Sequence, residues 1–471
     1  MQHINLEGKQ KEVMALPAEG HNVVLGTAGS GKTTLAILRA QHLSNLHGKG
    51  KVLLITFNGA LVKFMEGKSG ARSPKLTVEN YHKFARGYLR SRGKIPSHNG
   101  ILDNTDTKQR FIKEAIEYCK SQNPEESTLK RSIDFFMDEI SFIEKFGFSD
   151  AEEYKAATRI GRASANVKRE NRKWIFDVYK KFLDLRKAAG YEYDWDDLAY
   201  YAFRELQKDS SPRKYSHIII DEGQDFSPMM IRSLVLAVRP GGSFTFFGDV
   251  AQQIYGSRLS WRDSGIDTTD PWIFEMNYRN PASIVSFATD ITNSDYWLHD
   301  TDMISPSVHV AEGPKPALIR FEDKARELAW VVSNAIASGK STSAVIILRD
   351  RAIVRIFLRK LRAKGCTAIE IDKNTPGYAE SKTVYVSTYH AAKGLEFNNV
   401  YVPLLNEEHF PDRGTVEKAT DEKIAYADEI KLLYVAATRS KFGLFMTYHG
   451  TLSPLFPVDV DSYDTFDGET I

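Results

Sequence analysis

Short unbroken runs of Val, Ile, Leu and Phe punctuate this chain, each ending in glycine or polar residues. Asn22–Gly26, Val52–Phe57, His217–Ile220 and Ser243–Phe247 form one group, with helix-period patterns between them. Strands buried on both faces need continuous rather than alternating apolar residues, so this group predicts a parallel sheet covered by helices. A second group begins near Pro271. There Ala317–Phe321, Ala344–Leu348, Thr383–Ser387 and Val400–Pro403 alternate with helical stretches such as Lys324–Ser338 and Arg351–Lys364. That alternation predicts a second wound parallel sheet.

From Arg90 to Leu206 the texture changes to long amphipathic stretches, Asp106–Lys120, Arg131–Phe146 and Asn171–Ala189, which read as a helical insertion in the first block. Its basic residues Arg159, Arg162, Lys168, Arg169, Arg172 and Lys173 fit either a DNA-facing surface or a solvated helix face. The closing stretch from Pro457 is acidic and poor in aliphatics, and reads as a frayed tail or a partner-binding segment. The expected units are 1–89 with 207–268, the insertion 90–206, a second α/β unit 269–455, and the acidic tail 456–471.

Composition narrows this picture only slightly. A chain of 471 residues with 42% hydrophobic and 26% charged residues is an ordinary globular protein of several domains. With a net charge of only +2, a nucleic-acid surface has to be a local groove. Cys119 and Cys366, the only cysteines, exclude a disulfide framework or a cysteine-rich metal site. The polar start lacks a signal-peptide core, and no apolar run reaches the ~18–20 residues of a membrane span, so the reading is cytoplasmic.

The chemistry lies at strand ends, where open α/β sheets place it. Gly26-Thr27-Ala28-Gly29-Ser30-Gly31-Lys32-Thr33 fits G-x-x-x-x-G-K-[ST] between an apolar run and a helix, the context of a phosphate-binding loop. Backbone N–H groups from Gly26 to Thr34 would cradle phosphates, Lys32 would neutralise them, and Thr33 would hold magnesium. Ile218–Ile220 ends in Asp221, a second magnesium ligand, and Glu222, which would orient the attacking water. Gln252 follows another strand and suits γ-phosphate sensing. Arg279 and Arg439 offer charge for a phosphoryl-transfer transition state, and Tyr278 a face for adenine.

Taken in order, these segments resemble the superfamily 1A helicases of the UvrD/Rep/PcrA type. Gln10 is similar to that family's adenine-reading glutamine, and Asp221–Asp225 to its D-E-x-Q-D box. Gly248–Gly256, Asn277–Arg279, Val386–Phe397 and Leu432–Arg439 resemble its later motifs, and Asp194–Leu198 the stretch closing its first insertion. The resemblance spans roughly residues 6 to 447 and implies two RecA-like parallel-sheet domains with a helical insertion in the first. It implies ATP and Mg2+ as cofactors, with Gly394 and Glu396 near the nucleotide and Arg439 as the finger. It also implies DNA contacts at Phe57, Asn58, His82, Phe84, Tyr255, Arg258, Trp261, Thr388 and His390.

The implied activity is ATP-driven 3′-to-5′ movement on single-stranded DNA and at junctions, in repair, recombination or defence. A nucleotide-switched subunit working through a nuclease or another repair partner is the alternative. Ser257 stands where the family carries a base-stacking tryptophan, with Trp261 close by. The short span from Arg279 to Val386 leaves out the long accessory domain of larger relatives.

Overall fold

The computed structural model describes residues 9–27, 29–46, 50–57, 62, 74–95, 100–157, 167–249, 264–267, 271–274, 276–297, 308–311, 313–372, 382–418, 422–458 and 460–470. Two parallel sheets form its two lobes. The first runs in the order Leu76–Asn80, Lys51–Thr56, Tyr215–Ile220, Val238–Gly248, Gly20–Gly26 and Trp272–Phe274. Its central strands are buried on both faces, which accounts for the unbroken apolar runs. Trp272–Phe274 pairs in parallel with Val24–Gly26, so the first sheet extends past the expected boundary at 268.

The second sheet runs in the order Ile369–Ile371, Thr383–Thr388, Ser343–Leu348, Phe397–Val402, Ser440–His449, Ala317–Phe321 and Asp464–Asp467. The last strand corrects the frayed tail. Asp464–Asp467 pairs in parallel with Ala317–Arg320, and Tyr463 packs edge-on against Phe287 and Phe456. Two aromatic anchors and a free sheet edge outweigh the acidic composition there.

The insertion packs helices Thr105–Gln122, Ile133–Phe146 and Arg172–Ala188 around Ile112, Phe136, Ile140, Ile175 and Phe182. Asn104 and Ser132 cap the first two by accepting N–H bonds from Thr107 and Phe135. Its entry and exit lie side by side, because Ile101–Leu102 pairs with Tyr193–Asp194. Helix Leu198–Lys208 belongs instead to the first-lobe core, beside helix Tyr81–Ser91, so the insertion is narrower than 90–206.

Within the basic segment, Arg172 is buried and donates to the carbonyls of Tyr154, Lys155 and Ala157. It ties off the end of helix Ala151–Ala156 and faces no solvent. Lys168, Arg169 and Lys173 are exposed, while Arg159 and Arg162 lie outside the described residues. Among the described residues no helix is long and apolar enough to cross a membrane.

Candidate functional site

The phosphate-binding loop joins strand Gly20–Gly26 to helix Lys32–Asn45. Gly29 lies at φ +80 and Gly31 at φ +86, conformations that side chains other than glycine adopt only with strain. Lys32 is buried. Its ammonium donates to the carbonyls of Gly26 (2.7 Å) and Thr27 (2.6 Å) and lies 3.6 Å from Asp249 Oδ2. Thr33 Oγ1 donates to Asp221 Oδ2 at 2.7 Å, so the two expected magnesium ligands meet. Thr34 lies in the first turn of the helix.

Gln10, on helix Lys9–Met14, donates to Ser30 O at 3.3 Å. Buried Arg39, on helix Lys32–Asn45, holds the end of helix Lys9–Met14 and the residues after it, donating to the carbonyls of Val13 (3.3 Å), Leu16 (3.2 Å) and Pro17 (2.7 Å). Ala28 lies outside the described residues.

Strand Tyr215–Ile220 delivers Asp221 and Glu222 into the cleft. Glu222 has φ 53 and ψ 43, a left-handed conformation rare for its type, followed by the 3-10 turn Gly223–Asp225. Gln224 Nε2 donates to Glu222 Oε2 at 2.5 Å, and Gln224 Oε1 accepts from Asp249 N at 2.8 Å. Burial and the neighbouring Glu222 push the Asp221 carboxyl up to about 7. Burial also works upward on Glu222, but Lys393, Arg439 and Lys32 outweigh it and hold that carboxylate below its ordinary value. Glu222 therefore stays ionised, as a group that orients water must.

The second lobe closes on this face at two places. Asn277 and Asn280, on the border strand Met276–Pro281, lie directly over the loop: a Cβ placed on Gly29 would stand 2.2 Å from Asn277 Oδ1. Asn280 Nδ2 donates to Thr438 O (3.1 Å) and Ser440 O (2.5 Å), the residues on either side of Arg439. Lys393 reaches Asp225 in an ion pair with both side chains only 2% exposed.

Arg439 is 1% exposed and donates to Val435 O (2.9 Å), Leu395 O (3.5 Å) and Thr438 Oγ1 (3.1 Å). Its bond to Leu395 O ties it to the segment that carries Lys393, and its positive charge favours ionised Glu222. Tyr278 and Arg279 sit on strand Met276–Pro281, but their side chains lie outside the described set. Gly394 turns the chain at φ +80 after Lys393, and Glu396 lies 3.7 Å from Lys441.

Of the residues expected at DNA, Phe57 is half-buried and meets His82 edge-on at 5.6 Å. His82 also meets Trp195 at 5.2 Å, and burial lowers its pKa. Phe84 is corrected. It is 6% exposed, packed against Tyr81 and Tyr215 in the core, and its ring offers no face to a base. Thr388 accepts from Ala391 N at 3.3 Å and caps helix Tyr389–Ala392. Burial, then Arg349 and Lys393, drive His390 down to about 4. Asn58, Gln252, Tyr255, Arg258 and Trp261 lie outside the described residues.

Sequence reasoning passed over Gln224, Asp225, Asn280 and Lys393, although three of them stand inside the motifs it used. It also passed over Arg349, beside His390, whose guanidinium is gripped by buried Glu429 through Nε (3.0 Å) and Nη2 (2.5 Å). An Arg directly after the apolar run Ala344–Leu348 was the available signal.

The residues fit a triphosphate with a divalent cation. Asp221 Oδ1 is buried with no hydrogen-bond partner among the described residues, beside the paired oxygens of Thr33 and Asp221. Hard oxygen ligands of this kind suit magnesium.

Comparison with known proteins gives the family. Residues 6–269 match the family model of the UvrD/REP helicase N-terminal domain, and residues 367–451 that of the UvrD-like helicase C-terminal domain. A probable DNA helicase of Mycoplasma pneumoniae is 24% identical over 504 residues, covering 99% of this chain and 85% of that protein. DNA helicase II of Haemophilus influenzae is 24% identical over 319 residues, 62% of this chain and 41% of that protein. The exonuclease/helicase subunit RexA of Lactococcus lactis is 32% identical over 113 residues, 23% of this chain and 8% of that subunit. The chain thus spans most of the first of these relatives and less than half of the other two.

Proposed function

The chain belongs to the UvrD-type superfamily 1A DNA helicases, and from that premise we propose that it is an ATP-driven motor moving 3′ to 5′ along single-stranded DNA. The observation that carries this reading is the meeting of both lobes at the phosphate loop. Asn277 and Asn280 of strand Met276–Pro281 lie so close over Gly29 that a Cβ there would strike both, and the charges of Lys393 and Arg439 bear on Glu222. A nucleotide bound there contacts both halves of the chain, so its arrival and departure change how firmly the lobes are joined.

The residues divide the work. Lys32 leaves the carbonyls of Gly26 and Thr27 to meet phosphate oxygens, and the N–H groups around Gly29 and Gly31 complete the cradle. Thr33 and Asp221 hold the cation, which when bound neutralises phosphate oxygens and polarises the bond to be broken. Glu222, fixed by Gln224, orients water and accepts its proton. Arg439 meets the charge developing on the transferred group. The strand crosses the same ends of the two sheets, past Phe57 and His82 on one lobe and Thr388 and His390 on the other, held by phosphate contacts and ring faces.

The gathering of acids and cations from both lobes at the cleft favours a motor over a nucleotide-switched subunit acting through a nuclease. The test is ATP turnover with and without single-stranded DNA, followed by displacement of streptavidin from biotinylated 3′ and 5′ ends. DNA-stimulated turnover and faster clearance of the 5′ end are expected. Turnover indifferent to DNA refutes the motor, and preferential clearance of the 3′ end refutes the polarity.

A further inference from the structure

Residues Thr388 to Glu396 string three kinds of contact along one short segment. Thr388 and His390 stand at the end of strand Thr383–Thr388, where the proposed function lays the DNA strand. Lys393 comes next, its N–H bonded to His390 O at 3.4 Å, and its ammonium crosses to Asp225 of the first lobe. Gly394 then turns the chain so that Leu395 O accepts from Arg439 at 3.5 Å.

On the first lobe, Asp225 closes the 3-10 turn that begins at Glu222, donating its N–H to Glu222 O at 3.0 Å. The same turn carries Gln224, which grips the Glu222 carboxylate and the backbone of Asp249. The turn is short and fully buried, and it holds Glu222 in a strained backbone conformation. A displacement of Lys393 therefore reaches the turn that aims Glu222.

A buried ion pair adds little to stability, because desolvation of both ions offsets their attraction. This pair makes better sense as a coupling element. Without Lys393, Asp225 would sit in a buried site beside Glu222 and Asp249 with less positive charge to balance them.

We propose that Asp225 and Lys393 are a positioning pair that makes ATP hydrolysis answer to DNA: strand contact at Thr388 and His390 sets Lys393, and Lys393 sets the turn that aims Glu222. This deepens the reading above and rests on it.

The experiment measures the fold stimulation of ATP turnover by saturating oligothymidylate in the full chain, in Lys393→Met, Asp225→Asn and the double variant. Binding of a fluorescent ATP analogue is followed alongside. Each single variant is expected to lose about 5- to 150-fold of the stimulation, the usual range of coupling between sites. Analogue binding should change only a few-fold, and the double variant should be no worse than the worse single one. Lys393→Arg, which keeps the charge, is expected to recover part of the stimulation.

Wild-type stimulation in either single variant, or losses that multiply in the double, overturns the proposal. Hydrogen exchange on the unaltered protein tests it independently of any variant. Amides of residues 222–226 are expected to exchange more slowly when oligothymidylate binds, and unchanged exchange overturns it. A wild-type protein whose turnover ignores DNA defeats the motor reading itself, a result distinct from stimulation that survives loss of the pair.

Discussion

Gly29→Ala presses on the contact between the lobes, and Gly20→Ala controls for the left-handed backbone. Both glycines have nearly the same backbone, φ +80 and φ +78, so both alanines carry the left-handed penalty of about 1–2 kcal/mol. Their surroundings differ completely. A Cβ on Gly20 meets nothing within 4 Å, whereas one on Gly29 stands 2.2 Å from Asn277 Oδ1 and 2.6 Å from Asn280 Oδ1. Relief demands a shift of about 1 Å, and these amides are not free to swing. Asn277 Oδ1 accepts from Asn280 N at 2.9 Å, and Asn280 Nδ2 holds Thr438 O and Ser440 O. Orphaning one of these buried groups costs about 1–3 kcal/mol. Gly29→Ala should therefore destabilise by about 2–5 kcal/mol, against about 1–2 for Gly20→Ala. Because the Asn280 bonds flank Arg439, a shift of this size should also lower turnover by about a hundredfold. Urea unfolding and steady-state ATP turnover of the two variants decide the matter. If they unfold alike and turn over alike, the lobes do not meet at Gly29 in solution and the closed cleft is wrong.

Four further substitutions probe the rest of the machinery. Lys32→Ala should weaken nucleotide binding and reduce hydrolysis by at least about a hundredfold, checked by titrating a fluorescent analogue and by phosphate release. Glu222→Gln should bind nucleotide within a few-fold of wild type yet lose about 10²–10⁴ in turnover, and unchanged turnover would remove Glu222 from the water-orienting role. Asp221 gives a pH signature. A carboxyl near 7 when folded and about 3.9 when unfolded binds more protons in the folded state, so stability falls as pH rises between those values. Asp221→Asn should thus raise the melting temperature of the nucleotide-free protein at pH 8, lose that gain near pH 4, and abolish magnesium-dependent turnover. Tyr463→Ala should remove about 2 kcal/mol from the second lobe while leaving the affinity for an ATP analogue unchanged, measured by urea unfolding and analogue titration.

The sheets were legible because burial on both faces imposes a pattern that one strand displays by itself. Ile218–Ile219–Ile220 announces both a central strand and the place where its acids emerge. The loop from Gly26 to Thr33 was equally plain, since its glycines and lysine act within one segment. At Phe84 the resemblance to a DNA-contacting stretch conflicts with the helical period, and the period wins. Tyr81, Phe84, Ala85 and Leu89 mark one apolar face of helix Tyr81–Ser91, and that face lies on the core. Asp464–Asp467 was hidden because all four residues are exposed, and the strand is held by backbone pairing that composition does not record. Asp225 and Lys393 were visible as residues but not as partners. Nothing in a linear chain says which lysine of the second lobe meets which acid of the first.

That cross-lobe charge set explains why the closed arrangement is poised rather than locked. Asp221, Glu222, Asp225 and Asp249 share a buried cleft with Lys32, Lys393 and Arg439. Ions gathered out of water return little net stability, and each depends on its partners staying in place. Burial and the neighbouring Glu222 push Asp221 up to about 7, so part of the excess negative charge is relieved by a proton rather than by cations. The apolar cluster running from Val24 and Leu35 to Phe287, Val345 and Leu433 keeps the lobes adjacent without setting the geometry of the cleft. Non-directional burial thus holds the halves together, while a few directional and individually weak polar contacts decide how far they close. A small change in charge at the loop can then shift that balance, because the contacts it competes with amount to a few kcal/mol rather than to the stability of the fold.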